Sequence, residues 1–207
     1  DTASLDIETS YGDGFPDVHN PTNQILTIAY KSSKDKTYRV WGIKGYDESK
    51  SQLDLEIEYR QFTDEASMLD AFIQFWANPE NTPDIITGWN TRLFDIPYMV
   101  ARMRFLLGEA KTNLLSPWKK IDQREIVIQG RDHTIFEIKG IQHLDYMDIF
   151  KKFTHNTYGN QASYSLNHIA NVVLGEKKLD YSEVGSLRDL YDADYQMFVD
   201  YNIKDVE

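Results

Sequence analysis

The stretch Leu5-Asp6-Ile7-Glu8-Thr9 places two carboxylates in an apolar run that suits a buried β-strand. Successive residues of a strand point to opposite faces, so Asp6 and Glu8 share one face. Neighbouring carboxylates repel each other and are costly to bury unless a cation lies between them, and Mg²⁺ and Mn²⁺ take such oxygen ligands. The pair therefore predicts half of a two-metal site, although Asp-x-Glu by itself is more often one solvated face of a strand.

Composition narrows the class of protein. The 207 residues are 41% hydrophobic and 13% aromatic, which favours one folded α/β domain and argues against disorder. The absence of cysteine excludes disulfides, zinc-thiolate sites and cysteine nucleophiles. No apolar run reaches the roughly 20 residues that span a membrane, so we expect an intracellular protein. The net charge of −11 argues against a domain that coats nucleic acid, but it suits an enzyme that holds a strand end through metal ions.

Apolar periodicity predicts a mixed sheet with helices packed on it. After the first strand, further strands are predicted at residues 25–30, 37–43, 53–59, 84–90, 125–129, 134–138 and 143–148. Helices are predicted from an N-cap at Thr63 to Asn78, over residues 94–107, from Ser163 or Ser165 to Gly175, and over residues 189–207.

The rest of the chain is predicted to form loops and one β-hairpin. Residues 109–123 and 155–162 are typical of loops, and the hairpin of residues 125–138 is predicted to protrude, with a polar tip that includes a solvated His133. Because the chain starts in a core strand and stops in a helical pattern, we expect residues 1–207 to be one domain cut from a longer protein.

Two later motifs carry further acidic side chains. Asn90 ends a predicted strand and Asp95 begins a predicted helix, the place where sites gather in open α/β sheets. Tyr201 and Asp205 lie four residues apart, so they share one face of a helix. Taken alone, Asn90 and Asp95 could equally be a plain strand end and a helix cap. Taken alone, Tyr201 and Asp205 could equally lie on an amphipathic helix with an exposed carboxylate.

Taken in order, the three motifs resemble a known set. Asp-x-Glu, Asn-x₃-Phe-Asp and Tyr-x₃-Asp are similar to the exonuclease motifs of the DEDD superfamily in its tyrosine form, since the histidine form needs histidine at the position of Asp200. Nearly the whole chain resembles the 3′→5′ proofreading domain of family B DNA polymerases, with the nearest likeness to those of T-even-type bacteriophages. Four stretches carry that likeness in addition to the motifs: residues 87–90, 144–153, 163–166 and 201–207.

The resemblance implies a ribonuclease H-like fold and two divalent ions, Mg²⁺ or Mn²⁺. It makes Asp6, Glu8, Asp95 and Asp205 the metal ligands. We expect Asp6 to bridge the ions, Glu8 and Asp205 to hold the ion on the side of the nucleophile, and Asp95 to hold the other. Tyr201 is expected to orient the attacking water, because a phenol with an ordinary pKa near 10 is a poor base.

Substrate contacts are expected from three further residues. Thr9 and Asn90 are expected to hydrogen-bond the terminal nucleotide, and Phe94 to stack on or wedge beside a base, with core packing an equal alternative for Phe94. Structural roles are favoured for Asp145 and Asp148. By resemblance the hairpin helps to separate primer from template, whereas a solubilising ribbon is the simpler alternative.

The sequence thus predicts a metal-dependent 3′→5′ exodeoxyribonuclease that releases 5′-mononucleotides from a single-stranded DNA 3′ end. Its expected partners are that DNA end and the remaining domains of a polymerase, with no membrane. Three alternatives stay open: a freestanding DEDD exonuclease acting on RNA or small DNA, a non-catalytic nucleic-acid-binding domain, and a protein-interaction domain with a structural cation.

Overall fold

The computed structural model describes residues 1–11, 14–128, 130–175 and 186–207. The strands in these ranges are β1 (Thr2–Thr9), β2 (Ile25–Ser32), β3 (Tyr38–Gly42), β4 (Ile57–Gln61), β5 (Ile85–Thr87), β6 (Ile121–Ile128), β7 (Arg131–Ile138) and β8 (Gln142–His143). The α-helices are α1 (Glu65–Ala77), α2 (Asp95–Leu107), α3 (Glu109–Thr112), α4 (Tyr146–Phe153), α5 (His155–Tyr158), α6 (Leu166–Leu174), α7 (Leu187–Ala193) and α8 (Tyr195–Lys204). Short 3₁₀ turns lie at Glu48–Lys50 and Asn113–Leu115.

A mixed sheet of six strands forms the centre of the described residues, in the order β4-β3-β2-β1-β5-β8. β1 pairs antiparallel with β2 and parallel with β5, so it lies in the interior of the sheet. Ala3, Leu5 and Ile7 alternate along β1 and are fully buried, which leaves Asp6 and Glu8 on the opposite face. The predicted strand nearest the N-terminus is therefore the element that positions the two carboxylates.

Helices cover both faces of this sheet. On one face, α1 and α2 bury an aromatic-rich core that includes Trp41, Phe72 and Trp76. On the other, α7 and α8 pack through Leu190, Phe198 and other apolar side chains on the strands. The predicted mixed sheet with flanking helices is confirmed.

β6 and β7 form the predicted hairpin as a two-stranded sheet of their own. Its strands are longer than predicted, because Ile128 already pairs with Arg131 and Gly130 supplies the positive φ of +75° that a tight reversal needs. The placement of His133 at a solvated tip was wrong, since it lies within β7, opposite Ile126, and is half-buried.

Several other predicted boundaries were wrong. The strand predicted at 53–59 as an exposed or edge strand is β4, which lies at the edge of the sheet but spans Ile57–Gln61. Asp64 rather than Thr63 caps α1, accepting the Ser67 N–H at 2.9 Å. The strand at 84–90 shortens to β5, while α3 and α5 occupy parts of the predicted loops.

Two aspartates explain the larger differences between the predicted and the observed helices and strands. The predicted strand at 143–148 ends after β8, because Asp145 accepts the Met147 N–H at 2.9 Å and caps α4. The predicted last helix is two helices, since Asp194 leaves the helical region at φ −146° and caps α8 by accepting the Met197 N–H at 3.0 Å. Ser165 caps α6 and Gly175 closes it in the left-handed region, as predicted.

A buried ion pair fastens α1 to α2 and to the start of β2. Glu65 accepts the Ile25 N–H at 2.7 Å and two guanidinium hydrogen bonds from Arg102, at 2.9 and 2.5 Å. Arg102 also donates to the carbonyl oxygen of Pro21 at 2.7 Å, so the loop before β2 is held by the same pair. Both charged side chains are nearly inaccessible to solvent.

Asp200 fastens the other side of the molecule. It is fully buried on α8 and accepts the Tyr46 hydroxyl at 2.6 Å, the Ser51 hydroxyl at 2.7 Å and the Gln52 N–H at 2.8 Å. Burial, followed by the hydrogen bond to Asp200, raises the pKa of Tyr46. The carboxylate therefore anchors the loop between β3 and β4.

His143 makes the stability dependent on pH. Burial lowers its pKa from 6.5 to about 4, the Arg92 charge lowers the pKa further, and Asp148 opposes the shift. The unfolded chain binds a proton at this residue below about pH 6.5, whereas the folded chain does so only below about pH 4. The residue's contribution is therefore complete above pH 6.5, and it falls by roughly 3 kcal/mol as the pH drops to about 4.

The measurement is urea unfolding of the unsubstituted chain and of His143→Gln at about pH 7 and about pH 4.5. We expect the free energy of unfolding to fall less steeply with acid in the variant. Equal pH dependence in the two proteins would contradict the assignment.

Each helix in the part of the chain that the structure describes is too short or too polar to cross a bilayer.

Candidate active site

Three carboxylates from the two ends of the chain meet beside β1. Asp6 and Glu8 come from β1, and Asp205 comes from the C-cap of α8. One ligand oxygen of each lies within 4.8 Å of the others. The arrangement follows from the strand period of two and from α8 packing against β1 and β2.

α8 also supplies the groups around these carboxylates. Asn202 is fully buried, and its side-chain nitrogen donates to Oδ2 of Asp6 at 2.7 Å. Tyr201 is 8% exposed, and its carbonyl oxygen accepts the Asp205 N–H at 3.2 Å. Our sequence reasoning assigned no role to Asn202, although it lies within the Tyr-x₃-Asp motif, three residues before Asp205.

Asn202 is expected to set the orientation of Asp6. Substitution by leucine removes the donor while keeping the volume, so we expect affinity for Mn²⁺ to fall about 10- to 100-fold, as is typical for partners of metal ligands. Titration of the chain with Mn²⁺, with Asn167→Leu on α6 as a surface control, measures this effect. Unchanged affinity in Asn202→Leu would show that the hydrogen bond does not position the carboxylate.

Asp95 lies beside the group of three carboxylates rather than within it. It is the first residue of α2, is 2% exposed, and accepts the Ile7 N–H at 3.1 Å, between Asp6 and Glu8 on β1. Burial raises the pKa of Asp95 to about 7, the Ile7 N–H opposes this shift, and the charges of Asp145 and Asp205 add to it. The four predicted ligands therefore lie in one neighbourhood.

The turn before Asp95 has a backbone that only certain residues can adopt. Gly88 has φ +150°, and a Cβ there would lie 2.7 Å from the Leu5 carbonyl oxygen, so a side chain is excluded. Asn90 has φ +63°, a region that asparagine tolerates better than most residues. Asp145 accepts the N–H groups of Asn90 and Arg92 at 3.2 and 2.9 Å, so it holds the turn from the neighbouring chain segment.

The three residues predicted to contact substrate differ in burial and in their neighbours. Thr9 is buried at the end of β1, where the register with β2 shifts, and Asn90 is half-buried. The ring of Phe94 lies 6.2 Å from that of Tyr98 and 5.6 Å from that of Phe15, which is 78% exposed. Phe94 therefore packs partly on the core and partly against an exposed ring that sequence reasoning missed, since Phe15 lies in a loop without periodicity.

The donor set of this site fits a hard divalent cation. Every predicted ligand offers a carboxylate oxygen, and two such ligands lie on adjacent alternate positions of an interior strand. Carboxylates held this close repel each other, and a bound cation relieves that repulsion. The residues present therefore suit Mg²⁺ or Mn²⁺ and do not suit a softer metal that needs sulfur ligands.

Comparison with known proteins identifies the family. The family described as "DNA polymerase family B, exonuclease domain" matches residues 1–169, which is most of the chain. The chain belongs to this family. The predicted family, its ribonuclease H-like fold and its class as an exonuclease are thereby confirmed.

Individual polymerases are similar to this family B exonuclease domain over nearly its whole length. It is 33% identical to the DNA-directed DNA polymerase of Escherichia phage RB69 and 31% identical to that of Enterobacteria phage T4, in each case over 99% of the chain. It is 30% identical to the DNA polymerase delta catalytic subunit of Candida albicans over 86% of the chain. The exonuclease domain spans 24% of the length of each phage polymerase.

Proposed function

We propose that this domain is a metal-dependent 3′→5′ exodeoxyribonuclease that removes 5′-mononucleotides from the 3′ end of single-stranded or frayed DNA. The observation that carries the proposal is that carboxylate oxygens of Asp6, Glu8 and Asp205 lie within 4.8 Å of one another. The chain in which they do so belongs to the exonuclease domains of family B DNA polymerases. Such a carboxylate group is unfavourable on its own and becomes a phosphate site once cations are bound.

The chain's own residues have distinct tasks in this proposal. Asp6, Glu8 and Asp205 would hold one divalent cation, and Asp6 and Asp95 would hold a second. When bound, two such cations stabilise charge on the attacking and leaving oxygens and lower the pKa of a bound water. Tyr201 positions the attacking water through its hydroxyl, and Thr9, Asn90 and Phe94 hold the terminal nucleotide.

We further propose that the domain is one unit of a longer DNA polymerase and edits primer ends during replication inside the cell. The support is that the phage relatives are DNA-directed DNA polymerases about four times as long as this chain. In that setting the remaining polymerase domains deliver the primer end, which would explain how so acidic a domain, with a net charge of −11, meets a polyanion.

The test uses a single-stranded DNA labelled at its 5′ end, with Mg²⁺, with Mn²⁺ or with EDTA. We expect a ladder of products shortened one nucleotide at a time, release of 5′-mononucleotides, and no reaction in EDTA. The same oligonucleotide as RNA, and a DNA with a blocked 3′ end, serve as controls. Preference for RNA, or cleavage that starts from the 5′ end, would contradict the proposal.

Tyr201→Phe tests the positioning of water. The ring is retained and only the hydroxyl is lost, so we expect kcat to fall by about 10- to 100-fold with little change in KM, a loss of roughly 1.4 to 2.7 kcal/mol in transition-state stabilisation. Single-turnover rates with saturating enzyme measure this. A rise in KM at constant kcat would assign Tyr201 to DNA binding instead.

A further inference from the structure

One buried hydroxyl differs from the others in the part of the chain that the structure describes. Thr27 on β2 is fully buried, and its Oγ1 has no hydrogen-bond partner among the described residues. Thr91, Thr112 and Thr134 are buried too, but each of their hydroxyls has a partner at 2.9 Å. A hydroxyl that is buried without a partner destabilises the fold, so the position of Thr27 needs a physical reason.

Thr27 lies directly opposite the proposed metal ligand Glu8. In the antiparallel pairing of β1 with β2, Thr27 is the partner of Glu8, and Ala29 is the partner of Asp6. Directly opposed residues of an antiparallel pair point to the same face of the sheet, with their Cβ atoms about 5 Å apart. Thr27 therefore lies on the face that carries the carboxylate site, next to Glu8.

The rest of β2 around Thr27 is apolar. Residues 25–29 are Ile-Leu-Thr-Ile-Ala, so Thr27 carries the single polar side chain among them. Leu26 and Ala29 pack in the apolar cluster with α7 and α8. Valine has nearly the shape of threonine without its polar atom, so it would suit such surroundings better. What has to be explained at Thr27 is therefore its hydroxyl and not its volume.

Glu8 has the longest side chain of the three carboxylates that meet beside β1. It has one more side-chain torsion than an aspartate, and this torsion must be fixed before its oxygen can hold a cation together with those of Asp6 and Asp205. Hydrogen bonds to a ligating carboxylate set its orientation, as Asn202 does for Asp6 at 2.7 Å. Thr27 offers Glu8 a donor of the same kind from the neighbouring strand.

We propose that Thr27 is a positioning residue for Glu8. Its hydroxyl donates to the Glu8 carboxylate and keeps an oxygen of Glu8 beside those of Asp6 and Asp205 when a divalent cation is bound. This inference rests on the proposed function, which supplies the cation. The same hydrogen bond gives the buried hydroxyl a partner, so cation binding and the satisfaction of Thr27 stabilise each other.

A role in packing alone is the alternative, and it leads to different results. If Thr27 only fills space, removal of its hydroxyl relieves a buried polar atom and leaves the affinity for a cation unchanged. If Thr27 positions Glu8, the same change leaves the folded chain at least as stable in EDTA and weakens cation binding. Stability and affinity then change in opposite directions, which a loss of folding cannot produce.

The test is a titration of the 207-residue chain with Mn²⁺ alone, followed by calorimetry, together with urea unfolding in EDTA. We expect Thr27→Val to bind Mn²⁺ about 10-fold more weakly, with a urea midpoint at or above that of the unsubstituted chain. Thr27→Ser retains the hydroxyl and loses a buried methyl group. We therefore expect it to bind Mn²⁺ like the unsubstituted chain and to unfold at a lower urea concentration.

Two further variants serve as references. Asp6→Ala assigns the measured Mn²⁺ binding to the carboxylate site, and Thr112→Val removes a buried hydroxyl on α3, so its affinity for Mn²⁺ should not change. The inference alone is overturned if Thr27→Val binds Mn²⁺ like the unsubstituted chain, if Thr27→Ser binds as weakly as Thr27→Val, or if Thr112→Val weakens binding equally. Failure of the unsubstituted chain to bind Mn²⁺ would contradict the proposed function and overturn this inference with it.

Discussion

Replacing Asp6 by alanine is expected to lower the exonuclease rate by about three orders of magnitude, which corresponds to roughly 4 kcal/mol in transition-state stabilisation. Asp6 is the predicted shared ligand, it lies within 4.8 Å of Glu8 and Asp205, and Asn202 orients it at 2.7 Å. Its loss removes a ligand from both proposed cations, so more should be lost than with a ligand that holds one ion.

The measurement combines single-turnover cleavage with Mn²⁺ titration, and Asp54→Ala, an exposed carboxylate before β4, is the matched control. In EDTA we expect only a small change in the stability of Asp6→Ala, because relief of repulsion among the carboxylates is opposed by loss of the acceptor of the buried Asn202 amide. Full activity in Asp6→Ala would exclude the proposed mechanism, while a large loss of stability in EDTA would indicate that the substitution acts through folding.

Replacing Glu65 by alanine is expected to lower the free energy of unfolding by about 3–5 kcal/mol. The substitution leaves the buried Arg102 charge without its carboxylate and the Ile25 N–H without its acceptor. Both groups lie in the core between α1, α2 and β2, so water cannot replace the lost contacts at low cost.

Urea unfolding at neutral pH measures this loss, and the double variant Glu65→Met with Arg102→Met is the informative control. Removing both charges together should recover much of the stability, because a buried ion pair contributes little compared with apolar side chains of similar volume. A double variant that is less stable than Glu65→Ala would contradict this account, as would a loss below about 1 kcal/mol in the single variant.

The sequence predicted the central part of the molecule because local periodicity and tertiary burial agree there. β1 alternates apolar and acidic residues, so its buried face and the shared side of Asp6 and Glu8 follow from the strand period. The apolar spacing of α1 and α2 likewise matches the faces that they bury. In the last motif, α8 brings Asp205 to the two carboxylates of β1, while the shared face of Tyr201 and Asp205 stays a prediction.

The failures occur where a single polar contact outweighs periodicity. Residues 143–148 alternate over too short a run to distinguish strand from helix, and the decision falls to the cap at Asp145 and to its bonds with Asn90 and Arg92. Asp194 interrupts the last helix without glycine or proline. The Asn202–Asp6 hydrogen bond joins residues 196 positions apart, and no periodic pattern in the chain reports such a pairing.

The anchoring of Asp200 has a consequence for how this enzyme class diversifies. By the resemblance to the DEDD motifs, position 200 is where the histidine form of this enzyme class carries its histidine. Here that position is directed toward the Tyr46–Gln52 loop, while Asn202 and Asp205 are directed toward β1. We therefore expect a histidine introduced at 200 to remove the loop's anchor while facing away from β1, so this single substitution should not convert the tyrosine form into the histidine form.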